Sequence, residues 1–184
     1  DVGFDLYVRL VGEAVAEFRG DDQDQAPEVR VELPVDAHVP HDYVASERLR
    51  LEAYRRLSEV SSDEEVAAVA DELRDRYGPP PPVVENLLSV ARFRVRARQA
   101  GLREVTVQGR HVRFGPMTLG DAQRARLNRL YPKSLVKDKV ETVLVPRPST
   151  APVAGQPLRD LELLNWARQV IDDVLDPAPV ATGA

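Results

Sequence analysis

Apolar residues recur at the three- and four-residue spacing of amphipathic helices along much of this chain. Ser46 and Ser62 precede two such stretches and can cap their first turns, and Glu65 completes a capping box with Ser62. Gly78, followed by four prolines, ends the second stretch, and Thr118 is placed to cap a later one. The pattern predicts helices at about 2–19, 46–60, 62–77, 82–100, 118–131 and 161–174.

Strand signals are shorter and lie between these helices. Apolar residues alternate with charged ones at 29–33, and Pro34 restricts that strand to a sheet edge. The segments 105–107 and 112–114 flank a polar turn and predict a hairpin, and 142–145 predicts one further strand. We therefore expect an α/β (α+β) fold, a helix-rich domain with a small mixed or antiparallel sheet covered by helices, preceded by a separate amphipathic helix.

A polar stretch at 21–25 separates the first predicted helix from the rest of the chain and is typical of a flexible acidic linker. After residue 176 the sequence is small, polar and interrupted by proline, which predicts disorder. The sequence therefore predicts three regions: the first helix with its linker at 1–26, one domain at 27–176 and a disordered tail at 177–184.

The chain has 184 residues, a formal net charge of -5 and no cysteine. The acidic balance disfavours nucleic acid over the average surface, so any contact with DNA must be local. Without cysteine there is no disulfide framework and no thiolate nucleophile, in agreement with a cytoplasmic protein. No apolar run reaches the ~20 residues of a membrane span, and the start at Asp1 lacks both Met and a basic leader, as expected of a segment of a longer protein.

The candidate catalytic motifs each lack a required feature. The segment 115–120 is similar to a phosphate-binding loop, but Asp121 and Ala122 occupy the positions of its Lys and Ser/Thr. His38 and His41 lie beside two aspartates and could ligate zinc or manganese, although no predicted helix holds both rings on one face. We therefore expect no catalytic residue, no cofactor-binding residue and no metal site here, and a metal-dependent enzyme is the remote alternative.

The main basic concentration is the segment 92–113, which holds seven arginines and one glutamate. The four arginines of its helical part fall on both sides of the apolar stripe, which favours solvated side chains over a single phosphate-binding ridge. A nucleic-acid-binding module that uses this cluster is the alternative function. Phe93 lies opposite the stripe and is either covered by a second layer of structure or exposed to a partner.

The helix predicted at 62–77 has a polar outer face formed by Glu72, Asp75 and Arg76. Their spacing of three and four residues makes them project together, into solvent or toward a partner. Composition alone favours an intrahelical pair between Glu72 and Arg76 on a solvated face.

Five short motifs occur in a specific order: Gly-Phe-Asp-Leu-Tyr at 3–7, Glu-Leu-Pro-Val-Asp-Ala at 32–37, Ser-Glu-Arg-Leu at 46–49, Tyr-Arg-Arg-Leu at 54–57 and Glu-Leu-Arg-Asp-Arg-Tyr-Gly-Pro at 72–79. In order and spacing, they resemble the C-terminal end of the bacterial transcription-repair coupling factor (Mfd) family. The resemblance extends to about Asp176, and Tyr77 stands where the family often has Phe.

The resemblance implies that this region follows an ATP-driven DNA translocase motor, of which the first predicted helix is the trailing element. It implies an autoinhibitory regulatory domain that docks on the family's UvrB-like N-terminal module, masks the surface that recruits UvrA and restrains the motor. Glu72, Asp75 and Arg76 are then partner-binding residues. ATP, magnesium and indirect partners (UvrA, RNA polymerase and duplex DNA) are expected of the full-length protein, whereas this chain alone should neither hydrolyse ATP nor translocate.

Overall fold

Helices and a single sheet form the secondary structure of residues 28–175, the range that the computed structural model describes. The helix and linker predicted at 1–26 and the tail predicted at 177–184 lie outside that range. The predicted α+β class is confirmed. In chain order the elements are β1 (Arg30–Glu32), α1 (Glu47–Glu59), α2 (Asp63–Tyr77), α3 (Pro82–Gln99), β2 (Glu104–Gln108), β3 (His111–Gly115), α4 (Asp121–Leu130), β4 (Leu135–Lys137), a 3-10 helix (Asp138–Val140), β5 (Thr142–Pro146) and α5 (Asp160–Val174).

The described residues divide into two compact units. Asp36–Arg92 forms the first unit, and Glu28–Val35 belongs with residues 93–175 in the second. Helix α3 begins in the first unit and ends in the second. The single domain expected at 27–176 stays a prediction.

Helices α1 and α2 of the first unit are each capped at the N-terminus by a serine, as the sequence predicts. The hydroxyl of Ser46 accepts the N–H of Leu49 at 3.4 Å, and that of Ser62 accepts the N–H of Glu65 at 3.2 Å. The returning half of the capping box is displaced by one residue, because the Glu65 carboxylate accepts the N–H of Ser61 at 2.7 Å. The bonds to the two serine hydroxyls satisfy amide groups that the first turn of a helix leaves without an intrahelical partner.

The core of the first unit joins α1 to the extended segment that precedes it. Val39, Val44 and Tyr54 are buried together, and the side chains of Leu49 and Tyr77 pack against them. Inside this cluster the N–H of Val39 donates to the hydroxyl of Tyr54 at 2.7 Å. A backbone amide that no secondary structure would satisfy is therefore paired by a side chain.

The second unit contains the sheet, with strand order β1-β2-β3-β5-β4. Strand β1 runs parallel to β2 and every other neighbouring pair is antiparallel, so the sheet is mixed. Strand β1 lies at an edge, as Pro34 predicts. The predicted hairpin is β2–β3, and Gly109, with φ of 60°, takes the first position of its two-residue turn.

One face of this sheet is apolar and buried. Val105, Phe114 and Val143 are neighbours across the strands, and each is 0% exposed. Trp166 of α5 contacts this face, with its ring centroid 6.4 Å from that of Phe114. Helix α4 packs on α5, and its Leu127 is also 0% exposed. Helix α5 therefore covers this face of the predicted sheet, and α4 packs on α5.

The predicted start of α4 is wrong. Thr118 does not cap the helix, because its hydroxyl donates to the carboxylate of Glu141 at 3.3 Å. The helix begins at Asp121 after the N-cap Gly120, whose N–H donates to the side chain of Gln123 at 2.9 Å. The Gln123 side chain thus supplies the returning half of a capping box, and glycine at the N-cap offers no hydroxyl to the first turn.

Candidate protein-docking site

The predicted partner-binding residues lie on the outer side of α2. The inner side of this helix is apolar and buried, and it includes Val66 and Leu73. On the opposite side Glu72 is half-buried, whereas Asp75 and Arg76 are exposed. The amphipathic pattern of α2 therefore separates these three side chains from the core, as the sequence predicts.

Glu72 is the centre of an ion-pair cluster between α1 and α2. Its carboxylate accepts a hydrogen bond from Nη1 of Arg56 on α1 and a second from Nη1 of Arg76 at 3.3 Å. The hydrogen bond from Arg56 holds the pKa of Glu72 below its ordinary value, and the charges of both arginines add to that effect while burial opposes it. The intrahelical Glu72–Arg76 pair is confirmed, whereas the contact with Arg56 is one that helical spacing does not predict.

Aromatic rings fix the C-terminal end of α2. The guanidinium carbon of Arg76 lies 5.7 Å from the ring centroid of Tyr77, within the range of a cation–π contact. The ring of Tyr77 meets that of Tyr43 edge-to-face at 5.8 Å. The hydroxyl of Tyr43 donates to the carbonyl of Gly78 at 2.9 Å. Arg76 is thus held from two sides, by Glu72 and by an aromatic ring.

Asp75 differs from its two neighbours on α2. It is exposed, and within residues 28–175 no basic side chain lies at ion-pair distance from it. An unpaired carboxylate beside a cluster of paired charges leaves one negative charge available to a cation from outside the unit.

A shallow groove between α1 and α2 adjoins these charges. Ala53, Leu73 and Tyr77 contribute to its lining, and Arg56, Glu72 and Arg76 lie at the same groove. Apolar surface beside polar and charged groups is the usual arrangement of a protein–protein interface. We call the surface formed by Arg56, Glu72, Asp75, Arg76 and Tyr77 the α1–α2 face.

The arginines of 92–113 do not form one solvated group, so that prediction is wrong in part. Arg96 pairs with Asp172 of α5, with 2.8 Å between Nε and Oδ1, and its side chain is only 13% exposed. Arg94 is half-buried with an enclosed Nε, and burial lowers its pKa because the charged form loses solvation. Arg103 and Arg110 are exposed. The expectation that these side chains form no single phosphate-binding ridge agrees with this distribution.

The remaining candidates are Phe93, as a partner contact, and the histidines His38 and His41, as metal ligands. Phe93 is 2% exposed, so it is covered and is not an exposed contact for a partner. His38 lies with its Nδ1 3.3 Å from the carboxylate of Asp36, and His41 is exposed. Among the described residues, no three His, Cys, Asp or Glu side chains are grouped closely enough to hold a metal ion. Over the same range, no helix combines the length and apolar character that a bilayer crossing requires.

Known proteins match this chain in both sequence and fold. Residues 33–125 match the family model described as the TRCF domain. The chain is 46% identical over 182 residues to the transcription-repair-coupling factor of Mycobacterium tuberculosis (strain CDC 1551 / Oshkosh). The aligned region covers 92% of this chain and 15% of that protein. It is 39% identical over 115 residues to the factor of Staphylococcus epidermidis (strain ATCC 12228 / FDA PCI 1200), or 61% of this chain and 10% of that protein.

A solved structure shares the fold. It is the crystal structure of the C-terminal domain of a transcription-repair coupling factor, with a TM-score of 0.60 and 14% sequence identity, covering 80% of this chain and 91% of that one. The chain spans 15% of the length of the mycobacterial relatives it matches.

Proposed function

Because this chain belongs to the transcription-repair-coupling factor family, we propose that it is the autoinhibitory docking domain of an ATP-dependent DNA translocase that couples transcription to nucleotide excision repair. In this proposal the α1–α2 face binds the UvrB-like N-terminal module of the same protein. Docking masks the surface that recruits UvrA and restrains the motor until RNA polymerase is engaged.

The observation that carries the proposal is the state of the charges on α2. Glu72 and Arg76 are held by hydrogen bonds and by an aromatic ring, so they lose little side-chain freedom when a partner binds. Asp75 is exposed and has no ion-pair partner within residues 28–175. A basic group of the N-terminal module would therefore meet the unpaired carboxylate of Asp75 beside oriented charges and an apolar groove.

The physical requirement on such a contact is that it can be reversed. An interface inside one chain that must open on command needs a coupling free energy of about 1–3 kcal/mol, enough to bias the closed state without locking it. Exposed charges beside a small apolar groove suit that range, since each exposed ion pair contributes only about 0–1 kcal/mol. The α1–α2 face thus has the composition of a switchable interface.

The proposal is tested in the full-length protein by reversing both acidic charges, Glu72→Lys with Asp75→Lys. Loss of docking should raise the basal ATPase rate and strengthen UvrA binding, because the closed state is depopulated. Glu47→Lys serves as the control, since Glu47 is an exposed residue of α1 that does not line the groove. If the double variant has the ATPase rate and UvrA affinity of the unmodified protein, this assignment fails.

A further inference from the structure

A second feature lies on the sheet of the second unit, on the face opposite Val105 and Phe114. Side chains alternate between the two faces of a strand, and Arg30 pairs in register with Glu104 and Thr106 with Arg113. Charged and polar groups therefore collect on this face. They surround a cavity of about 200 Å³ that is lined by Arg30, Arg103, Glu104, Arg113 and Thr142, with Gly115, Pro116 and Val140 completing it.

The three arginines of this cavity differ in how far their charges are neutralised. Arg30 makes two hydrogen bonds to the carboxylate of Glu32, at 2.7 and 2.8 Å. Arg103 is exposed, and within residues 28–175 no carboxylate lies at ion-pair distance from its guanidinium. Three cations and two carboxylates, counting Glu32, leave a net positive charge at the cavity.

Arg113 has a long ion-pair contact with Glu104 and, within residues 28–175, one donor without an acceptor. Its Nε is enclosed and has no hydrogen-bond acceptor among the described residues. The closest carboxylate oxygen, Oε1 of Glu104, is 3.8 Å from that nitrogen, which is beyond hydrogen-bond distance. The Arg113 side chain as a whole is 36% exposed and lines the cavity, so an anion that enters can accept hydrogen bonds from the other N–H groups of its guanidinium.

We infer that this cavity is an oxyanion subsite that binds one phosphate group between Arg103 and Arg113. The forked donors of a guanidinium match the oxygens of a phosphate, and hydrogen bonds between such ions are among the stronger ones in proteins. The cavity volume of about 200 Å³ far exceeds the ~10–15 Å³ that one bound water needs on the same measure, so it has room for a tetrahedral anion. Glu104 opposes binding, because its carboxylate lines the same cavity.

The phosphate has two possible sources with the same chemistry: a free phosphate or small phosphate ester, and the phosphodiester backbone of a nucleic acid. The site uses Arg30 of β1 and residues of β2, β3 and β5, not the arginines of α3. It lies in the second unit, whereas the α1–α2 face lies in the first. Its test is therefore independent of the docking proposal.

The test is a titration of the ¹⁵N-labelled 184-residue chain with inorganic phosphate at constant ionic strength, with chloride as the reference salt. The Nε–Hε signals of Arg103 and Arg113 should shift and saturate, because an anion bound to either guanidinium changes the electronic environment of its Nε. Arg103→Gln and Arg113→Gln should each weaken phosphate binding about tenfold, and Glu104→Gln should strengthen it. Arg110→Gln is the matched control, since Arg110 is exposed in the β2–β3 turn and does not line the cavity.

Competition with a duplex oligonucleotide then separates the two sources. Displacement of phosphate by duplex identifies a nucleic-acid backbone, whereas saturation by phosphate without competition identifies a free phosphate or small ester. Folding of each variant is checked by circular dichroism, and Arg103→Gln keeps the test valid if the half-buried Arg113 variant unfolds. A shift that rises linearly without saturation, or an equal loss of affinity in Arg110→Gln, overturns the proposal.

Discussion

At the scale of single residues, Glu72 shows which contacts a sequence can predict. Its pair with Arg76 is local, because residues four apart on a helix face each other, and the spacing predicts it. Its pair with Arg56 joins residues 16 positions apart on two helices, so it depends on how α1 and α2 pack. The local half of the cluster was predicted from the sequence, and the half that depends on packing was not.

The first residue-scale prediction concerns Glu72→Gln in the 184-residue chain. The substitution should lower the free energy of unfolding by about 0.5 kcal/mol at neutral pH, because the cluster is partly exposed to solvent. The folded-state pKa of Glu72 is lowered, so its contribution is present above the unfolded-state pKa and is lost as pH falls through the folded-state value. Urea unfolding across the acidic range measures this.

Asp75→Asn is the control for that measurement. Asp75 has no ion-pair partner among residues 28–175, so its removal should change the unfolding free energy at neutral pH less than Glu72→Gln does. A Glu72→Gln difference that persists unchanged at the acidic end, or an equal effect of Asp75→Asn, contradicts the assignment of the cluster.

A second residue-scale prediction concerns the buried hydroxyl of Tyr54. Tyr54→Phe removes the acceptor of the Val39 N–H and leaves that buried donor unsatisfied, which should cost about 1–3 kcal/mol. Tyr77→Phe is the matched control, because within the described range the Tyr77 hydroxyl has no hydrogen-bond partner while its ring still packs. Equal unfolding midpoints in urea for the two variants would contradict this reading.

At the scale of elements, local signals predict most of the fold. The serine caps of α1 and α2, the stop at Gly78 and the hairpin between β2 and β3 all follow from short-range backbone chemistry. Strand β4 was missed because it has three residues and no alternation long enough to recognise. The sequence also does not predict that β1 pairs in parallel with β2, because some 70 residues separate the two strands.

The element-scale prediction concerns the stop of α2. Gly78 has φ of 85° and ψ of -174°, a conformation accessible essentially to glycine alone. A Cβ there would meet no atom within 4 Å, so the effect of Gly78→Ala is purely one of backbone conformation. We expect a loss of about 1–3 kcal/mol in the free energy of unfolding, measured by urea denaturation.

Gly120→Ala provides the comparison for that variant. Gly120 has φ of -73°, which alanine adopts readily, and its nearest atom to an added Cβ is 3.8 Å away. Its substitution should cost less than about 1 kcal/mol. A Gly78→Ala variant as stable as Gly120→Ala would show that the α2 stop does not depend on glycine.

At the scale of the whole molecule, the sequence identifies the family. The structure adds which charged side chains are buried and which are paired. The order and spacing of five motifs resemble one family, and the match over residues 33–125 confirms the assignment. The spacing of apolar residues does not predict that Arg94 is buried or that Arg96 pairs with Asp172, because both depend on packing around the end of α3. The chain spans 15% of the length of its mycobacterial relatives, and docking to an N-terminal module is the function that we propose for it.

The central claim is that the α1–α2 face binds the UvrB-like N-terminal module, and direct binding of the 184-residue chain to that module, supplied separately, tests it. Isothermal titration should give saturable binding that weakens with salt and is reduced about tenfold or more by the Glu72→Lys, Asp75→Lys double variant. Glu47→Lys should bind as the unmodified chain does. No detectable binding, or binding that the double variant leaves intact, would contradict the claim.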